Sequence, residues 1–219
     1  MISESLLSDS IVPLRTSDTG ADALSIMDDF YVRHLPIVNN KQFLGLISEE
    51  DILNFDAQEA VGSYSLSLIR PYVTRNDHLY EVMRLLAENQ LTIIPVVDEE
   101  NNYVGLITLE QLLSHFAGFA AFSESGSIIV LEVNRRDYSL SEIARIVEGE
   151  SASVLSSFIT SDPNSVMVDV TLKINLQNIQ AIIATFKRFD YQVKASFNET
   201  EYMDSLQERY DSLMNYLSV

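Results

Sequence analysis

Residues 45–53 read Gly-Leu-Ile-Ser-Glu-Glu-Asp-Ile-Leu, and residues 105–113 read Gly-Leu-Ile-Thr-Leu-Glu-Gln-Leu-Leu. Both stretches place a Gly and an apolar pair before a Ser or Thr, and both continue with mixed acidic and apolar residues. A recurrence of this kind is the sequence signature of a duplicated structural unit. The pair of stretches therefore predicts that the first half of the chain contains the same fold twice.

Two further blocks repeat in the same order upstream of these stretches. Leu35–Asn39 is echoed by Ile94–Asp98, with a proline second in each block, and Pro13–Thr16 is echoed by Pro71–Thr74. The spacing between the copies changes only in the connecting loops. Three matched blocks in one order predict a tandem duplication.

Each copy carries apolar residues at helical spacing between its first two blocks. They are Ala23, Ile26, Met27 and Phe30 in the first copy and Leu79, Val82, Met83 and Leu86 in the second. A β-branched strand is predicted after each proline, followed by a second strand ending at Ser48 or Thr108 and another helix. An α/β unit of about 50 residues is too small to bury its faces alone, so the two copies are expected to pack together.

From about residue 126 the repeat gives way to alternating strands and two amphipathic helices. The predicted order is strand, helix, strand, strand, helix, strand over 127–133, 139–148, 154–160, 165–174, 178–189 and 191–197. This βαββαβ order is the ferredoxin-like arrangement, an α+β fold. We expect two domains: an α/β tandem pair over 1–120, with copies at about 6–56 and 66–116, and a ferredoxin-like domain over 126–219.

A C-terminal helix is expected from about residue 200. Its apolar residues step by three and four, at Met203, Leu206, Tyr210, Leu213 and Leu217. This seam is barely two heptads long, which is too short for an independently stable coiled coil. The helix is therefore expected to pack either on its own domain or on a partner chain, and a homodimer is predicted.

The composition excludes several classes of function. The chain of 219 residues has 14 Lys and Arg against 32 Asp and Glu, a net charge of −18, which argues against binding to nucleic acid or to anionic membranes. It contains no cysteine, so thiol catalysis, cysteine-ligated zinc and disulfides are excluded. The N-terminus does not read as a signal peptide, and no apolar run has the length of a membrane helix. A cytoplasmic protein is expected.

At this point the repeated residues resemble a known family. His34–Val38 followed by Gly45–Asp51 resembles the motif of CBS (cystathionine-β-synthase) domains, and the second copy repeats it. The resemblance implies a pseudo-symmetric pair that holds adenosine-containing ligands in its clefts. Residues 127–198 resemble an ACT domain, and a CBS pair followed by an ACT-like domain is similar to bacterial AcuB-type (acetoin utilisation) proteins. The loop 134–140 lacks the glycine that lets amino acids approach the backbone of ACT domains, which favours dimerisation or docking.

The spacing of Ser48 to Asp51 and of Thr108 to Gln111 has two interpretations. Both pairs have the spacing of a helix capping box. The CBS resemblance implies instead that the Asp accepts hydrogen bonds from both ribose hydroxyls and that the Ser or Thr lies beside the ribose or phosphate. Gln111 lacks the charged acceptor of Asp51, so the second cleft is expected to bind more weakly.

The remaining candidate binding residues are Thr16, His34, Leu35, Pro36, Thr74 and Ile94. Apolar walls for a purine are expected from Leu14, Leu35, Ile93 and Ile94. Arg15 and Arg75 flank the two threonines and Arg33 precedes His34, so these cations either lie near a bound phosphate or balance surface carboxylates.

The sequence contains no recognisable catalytic constellation and no metal-ligand spacing among His34, His78 and His115. The functional hypothesis is a regulatory protein, not an enzyme, that binds AMP, ADP, ATP, S-adenosylmethionine or a related compound in the Ser48–Asp51 cleft. One rival hypothesis is a ligand-independent oligomerisation or docking scaffold in which both boxes are merely caps. A small metabolic enzyme with an unrecognised site is the other.

Overall fold

The computed structural model describes residues 2–8, 10–64, 68–119, 121–122, 124–198, 214 and 216. The chain divides into two units, Met1–Phe116 and Ala117–Val219. Each unit contains its own cluster of buried apolar side chains. The described part of the chain thus has two separate hydrophobic cores, one in each unit.

The two copies in the first unit fold in the same order, and this confirms the predicted duplication. The first copy consists of β1 (Leu14–Arg15), α1 (Gly20–Asp29), β2 (His34–Asn39), β3 (Gln42–Ser48) and α2 (Glu49–Leu53). The second consists of β4 (Val73–Thr74), α3 (Leu79–Glu88), β5 (Ile93–Val97), β6 (Tyr103–Thr108) and α4 (Leu109–Phe119). Short 3-10 turns at Ser3–Leu6 and Val61–Ser63 lie before the first copy and between the copies.

Each copy has a three-stranded sheet with the same topology. In the first copy β1 runs parallel to β2, and β2 runs antiparallel to β3; β4, β5 and β6 repeat this arrangement. The sequence predicts strands that begin after the prolines, but β2 and β5 begin before them and contain Pro36 and Pro95. Proline is tolerated in these central strands because β1 pairs only with Ile37 and Val38, beyond Pro36.

The segment that precedes each copy pairs with the sheet of the other copy. The Ser8 N–H donates to the Leu106 carbonyl oxygen at 2.8 Å, and the Leu46 N–H donates to the Ile69 carbonyl oxygen at 2.9 Å. The hairpins also meet, since the Tyr103 N–H donates to the Lys41 carbonyl oxygen at 2.7 Å. These exchanged backbone hydrogen bonds tie the copies into one body.

One hydrophobic core spans both copies. The side chains of Leu35 and Ile47 in the first copy and of Ile94 and Ile107 in the second have no exposed surface and belong to one cluster. Burial of a side chain of this size stabilises a fold by about 1.5–3 kcal/mol. Neither copy could retain this burial alone, as the duplication predicted.

The second unit has the predicted βαββαβ order, which confirms the ferredoxin-like fold. Its elements are β7 (Ser127–Asn134), α5 (Leu140–Gly149), β8 (Val154–Ser161), β9 (Met167–Ile174), α6 (Gln180–Arg188) and β10 (Gln192–Asn198). They form one antiparallel sheet in the order β10-β7-β9-β8. The buried residues alternate strictly along β7 and β9, so both helices cover the same face of the sheet, where Ile143 and Phe186 are fully buried.

The predicted C-terminal helix lies mostly outside the described residues. Its seam residues Met203, Leu206, Tyr210, Leu213 and Leu217 are all outside them. Across the described ranges, no helix combines the length and the apolar character needed to cross a bilayer.

Candidate functional site

One candidate site lies between the two copies, at the start of α4. It is a cleft of about 570 Å³ lined by Ser8, Ser10, Ile11, Phe30, Tyr31, Val32, Thr92, Thr108, Leu109, Glu110, Gln111 and Ser114. The segment that precedes the first copy, the turn between α1 and β2, and the second copy each supply one wall. Because these three segments are far apart in sequence, only the packed pair forms the cleft.

Gln111 contributes an unsatisfied polar atom next to this cleft. Its backbone N–H donates to the Thr108 hydroxyl oxygen at 3.1 Å, so that hydroxyl caps the first turn of α4. Its side-chain oxygen Oε1 is buried and has no hydrogen-bond partner among the described residues. A buried amide oxygen without a donor is costly, and such groups in native folds call for an explanation. The oxygen has almost no accessible surface, so a ligand hydroxyl or amino group would become its donor only after the side-chain amide turns toward the cleft.

The cleft wall is mostly neutral. Hydroxyl groups of serine and threonine alternate with apolar side chains, and Glu110 carries the one charge among the described lining residues. Phe30 and Tyr31, both in the turn after α1, are 41% and 92% exposed. The cleft thus offers hydrogen-bonding groups and an aromatic edge.

Ser48 and Asp51 form a complete capping box at the start of α2. The Asp51 Oδ2 atom accepts from the Ser48 N–H at 2.9 Å and from the Ser48 hydroxyl at 2.6 Å, while the Asp51 N–H donates to the Ser48 Oγ at 3.1 Å. Thr19 and Asp22 form the same box at α1, where no ligand role was predicted. The capping interpretation is therefore realised in the fold, and the box by itself does not identify a binding site.

Thr16 lies far from Ser48, and in the second copy Thr74 lies far from Thr108. Thr16 follows β1, whose last residue pairs with Val38, whereas Ser48 pairs with His34 at the opposite end of β2. At about 3.3 Å per strand residue, the two ends of β2 are roughly 16 Å apart. Thr16 and Thr74 instead line two separate depressions of about 500 and 470 Å³.

His34 makes polar contacts across the two copies. Its Nδ1 atom lies 3.2 Å from the Thr92 hydroxyl and accepts from the Thr92 N–H at 3.4 Å. Burial lowers the pKa of His34; the Asp51 carboxylate opposes this shift, and Arg33 reinforces it. The imidazole is half-buried and acts as an acceptor at Nδ1, so its neutral form carries the proton on Nε2.

The apolar candidates lie in the core, and Leu14 also lines the depression beside Thr16. Leu35, Pro36 and Ile94 are buried, as are the expected purine walls Leu14 and Ile93. They support the strands that carry the site, but they do not line the cleft at α4.

Two of the three flanking arginines face carboxylates. Arg75 forms an ion pair with Glu4 at 2.9 Å, and the Arg33 Nε lies 4.0 Å from a Glu49 carboxylate oxygen. All four side chains are substantially exposed. These contacts fit the interpretation that the arginines balance surface charge. Arg15 lies beside Thr16, at the far end of the sheet.

Phe30 and Tyr31 were not singled out as site residues from the sequence. A signal was present, because the equivalent turn of the second copy holds Asn89 and Gln90 instead. The second copy has no aromatic residues at these positions. Because Phe30 and Tyr31 are exposed, packing of the core does not account for the difference. Among the described residues no group of three or more His, Asp or Glu could hold a metal ion.

The family model of the CBS domain matches residues 2–58 and 68–118. An uncharacterised protein of Methanocaldococcus jannaschii is 29% identical over 99 residues, which cover 45% of this chain and 37% of that protein. This chain thus corresponds to little more than a third of that relative's length.

Two solved structures are each similar to about half of the chain. A CBS domain pair/ACT domain protein from Thermotoga maritima is 24% identical with a TM-score of 0.49 and covers 54% of this chain and 98% of its own. The CBSX2 protein, which is from Arabidopsis thaliana, has been solved in complex with AMP. It is 20% identical with a TM-score of 0.47 and covers 53% of this chain and 96% of its own.

Proposed function

Since residues 2–58 and 68–118 form a tandem pair of CBS domains, we propose that this protein is a regulatory sensor that binds an adenosine-containing compound between them. The observation that carries this proposal is the cleft of about 570 Å³ at the start of α4, with the unsatisfied Gln111 oxygen beside it. A concave site between packed elements, mostly apolar with a few convergent polar groups, is the usual form of a small-molecule site.

The side chains of the cleft match the parts of a nucleoside. The Gln111 Oε1 would accept a hydrogen bond from a ribose hydroxyl once its side-chain amide turns toward the cleft, and the serine hydroxyls that line the cleft can donate or accept. Ile11 and Val32 offer apolar surface to a purine ring, and Phe30 lies in the adjacent turn. Such a site recognises the sugar and the base together.

Binding is coupled to regulation through the way the cleft is built. The ligand touches the segment before the first copy, the α1–β2 turn and the second copy at once. A ligand shifts a conformational equilibrium only by its differential affinity for the two states. A compound held by both copies favours the arrangement in which they are closed on each other, and the second unit or a partner protein would respond to that arrangement.

The Ser48–Asp51 cleft remains a second candidate. The sequence favoured it because of the charged Asp51 acceptor, but the Oδ2 atom of that carboxylate already accepts two hydrogen bonds from Ser48. At α4 the corresponding side-chain oxygen is unpaired. This difference is why we place the ligand at Gln111 first.

Titration calorimetry and thermal shift with adenosine, AMP, ATP and S-adenosylmethionine test the proposal. A ligand present at 100 times its dissociation constant adds about 2.7 kcal/mol of stability. Gln111→Leu should abolish binding while keeping the fold, because it removes an unsatisfied oxygen from a similar volume. Asp22→Asn, which alters a capping box outside the cleft, is the matched control and should bind normally.

The outcomes separate the candidates. Loss of binding in Asp51→Asn but not in Gln111→Leu moves the ligand to the first copy. Full binding in both variants removes both clefts from the proposal. The absence of any shift with any adenosine compound supports the rival hypothesis of a ligand-independent scaffold.

The proposal extends to the whole protein. A CBS pair followed by a ferredoxin-like domain supports an ACT-like second domain and a bacterial AcuB-type role, acting in the cytoplasm as a homodimer. Analytical ultracentrifugation of the full chain tests the dimer: a single species of 24.7 kDa would contradict it.

A further inference from the structure

The sheet of the second unit has one face that its own helices α5 and α6 do not cover. The buried residues of β7 and β9 alternate with half-buried ones, and the buried set packs against the two helices. The half-buried set therefore lies on the opposite face, which we call the open face. Within the described range 124–198, no helix other than α5 and α6 is present, so this range supplies no helix to the open face.

The apolar residues of the open face lie together at one end. Strand pairing places Phe197 beside Ile128 and, in the next row, Ala195 beside Val130. That row continues across β9 to Phe158 of β8. Phe197 is 58% exposed, and the other four are half-buried. A contiguous apolar patch of this kind on a protein surface is typical of a contact site.

The opposite end of the open face is polar. Glu132 of β7 pairs in register with Asp169 of β9, and the Lys194 ammonium donates to the Asp169 carboxylate at 2.7 Å. The apolar patch is thus confined to the end of the sheet at which β10 finishes.

The chain that follows β10 has the pattern of a helix with one apolar side. Its apolar residues step by three and four, at Met203, Leu206, Tyr210, Leu213 and Leu217. Within the segment 199–219 the structure describes Met214 and Tyr216, both helical and 44% and 80% exposed. Neither belongs to the apolar series, so their exposure fits a helix that buries that series alone.

This segment has the reach to cover the patch of its own sheet. Four residues, 199–202, separate β10 from Met203, which is a usual length for a connection between elements. A helix over 203–217 would be about 22 Å long, and the seven residues of β10 span about 23 Å. A helix that turns back along β10 would therefore stay over the open face and place Met203 and Leu206 above the apolar patch.

The charges favour the same direction. Lys173 is half-buried in the row of Ile128, at the apolar end of the open face. The start of the segment is acidic, with Glu199, Glu201 and Asp204. A helix that begins at this end would bring carboxylates near the lysine, which is an attractive interaction.

We propose that residues 203–217 form a helix that packs on the open face of the sheet in the same chain, with Leu206 against Val130 and Phe197. A four-residue connection holds the segment at an effective concentration that a second copy cannot match in dilute solution. The contact is independent of ligand binding and goes beyond the sensor function. It closes the open face to a second copy, so a homodimer has to use other surfaces.

Paired cysteines in the full-length protein test the contact, because the chain contains no natural cysteine. A protein with Val130→Cys and Leu206→Cys should be joined within one chain by a short bismaleimide cross-linker, as shown by mass spectrometry of the linked peptides. Val130→Cys with Glu208→Cys is the matched control. Position 208 is two residues further along and falls on the opposite side of a helix, so its cross-linking should be several-fold weaker.

A double-mutant cycle gives a second measurement that needs no cross-linker. Phe197→Ala and Leu206→Ala should each lower the urea midpoint of unfolding, and the two shifts should be less than additive because they remove the same contact. Phe197 is suited to this because it is exposed, and its replacement leaves the buried core intact. Phe197→Ala combined with Glu208→Ala should give additive shifts.

The outcomes are distinct. Cross-links between two chains, with a yield that rises with protein concentration, would place the segment of a second copy on the face and overturn the proposal. Equal cross-linking at positions 206 and 208, no cross-linking at either, or additive shifts for Phe197→Ala and Leu206→Ala would also overturn it. Failure of every adenosine compound to bind would contradict the sensor function and leave this contact unaffected.

Discussion

The Nδ1 atom of His34 lies 3.2 Å from the hydroxyl of Thr92, a residue of the other copy. The same hydroxyl accepts from the Arg33 N–H at 2.9 Å, and the Thr92 N–H points at the imidazole. Arg33 and Thr92 each precede the first hairpin strand of their copy. The polar contact therefore joins equivalent points of the duplicated fold, beside the cleft that Thr92 lines.

Replacing Thr92 by Val should destabilise the first unit by about 0.5–1.5 kcal/mol, because the hydrogen bonds it removes are exposed or only part-buried. The valine has the same shape but leaves the Arg33 N–H and the His34 Nδ1 without the hydroxyl. Urea denaturation measures the change, and Thr92→Ser, which keeps a hydroxyl, should recover most of it. A loss in Thr92→Ser without a loss in Thr92→Val would mean that the methyl packing, and not the hydroxyl, stabilises this point.

The contribution of His34 to the stability of the protein should fall as the pH drops below about 6.5. Burial holds the pKa of His34 in the folded state below its ordinary value of 6.5, so the unfolded chain takes up the proton more readily. The contribution is fully present above pH 6.5 and is lost as the pH falls from there through the folded pKa. Protonation of His34 at Nδ1 would also break the hydrogen bond from the Thr92 N–H, because Nδ1 would become a donor.

His34→Asn isolates this effect. Asparagine can keep an acceptor near Thr92 but does not titrate, so the free energy of unfolding between pH 7.5 and 5.5 should depend less on pH in the variant. Parallel curves for the two proteins would show that His34 does not titrate on unfolding in this range.

The architecture was largely predictable from the sequence because the signals for it are local or repeated. The spacing of Ala23, Met27 and their counterparts specifies helices, and the echoed blocks specify that the same unit recurs. The boxes at Ser48 and Thr19 need only residues three apart, which a linear sequence shows directly.

The composition of the cleft was not predictable in the same way. Whether Thr16 lies near Ser48 depends on whether β1 runs parallel or antiparallel to β2. The short repeated block Pro13–Thr16 does not reveal that direction. Ser10 lines one cleft with Gln111 because the segment before the first copy crosses to the second copy, and Phe30 does so because the α1–β2 turn lies against the second copy. Long-range contacts of this kind follow from packing rather than from spacing.

Two glycines in helices should respond in opposite ways to alanine. A Cβ on Gly20 would overlap the Tyr64 hydroxyl and lie 2.8 Å from the Ile52 Cγ2 atom. The Tyr64 ring cannot easily move, since it stacks on Phe55 at 4.7 Å and its hydroxyl donates to the Asp56 carbonyl oxygen at 2.9 Å. Overpacking of this kind costs about 1–3 kcal/mol, more than the helix propensity gained.

Gly118→Ala is the matched control for that change. Gly118 lies in α4 with open space around its Cβ position, so alanine there should add about 0.5–1 kcal/mol. Thermal denaturation of the two variants gives the comparison. A stabilised Gly20→Ala protein would contradict the close approach of Tyr64.

In the second unit, Tyr191 should titrate well above an ordinary tyrosine. Burial raises its pKa to about 12, and the hydrogen bond to Glu142 at 3.1 Å acts in the same direction. A folded pKa above the unfolded value means that this contribution is present below pH 10 and is lost as the pH rises through 12. The ring resonances of Tyr191, followed by NMR against pH, measure the midpoint.

Tyr191→Phe separates the hydroxyl from the ring. The phenylalanine keeps the edge contact with Phe186, whose ring centroid lies 5.6 Å away, but it loses the donor to Glu142. We expect a loss of about 0.5–1.5 kcal/mol at pH 7, the usual net value of one such hydrogen bond. Since the variant no longer titrates here, its stability relative to the natural protein should improve between pH 10 and 12. An unchanged difference across that range would show that Tyr191 ionises equally in the folded and unfolded chains.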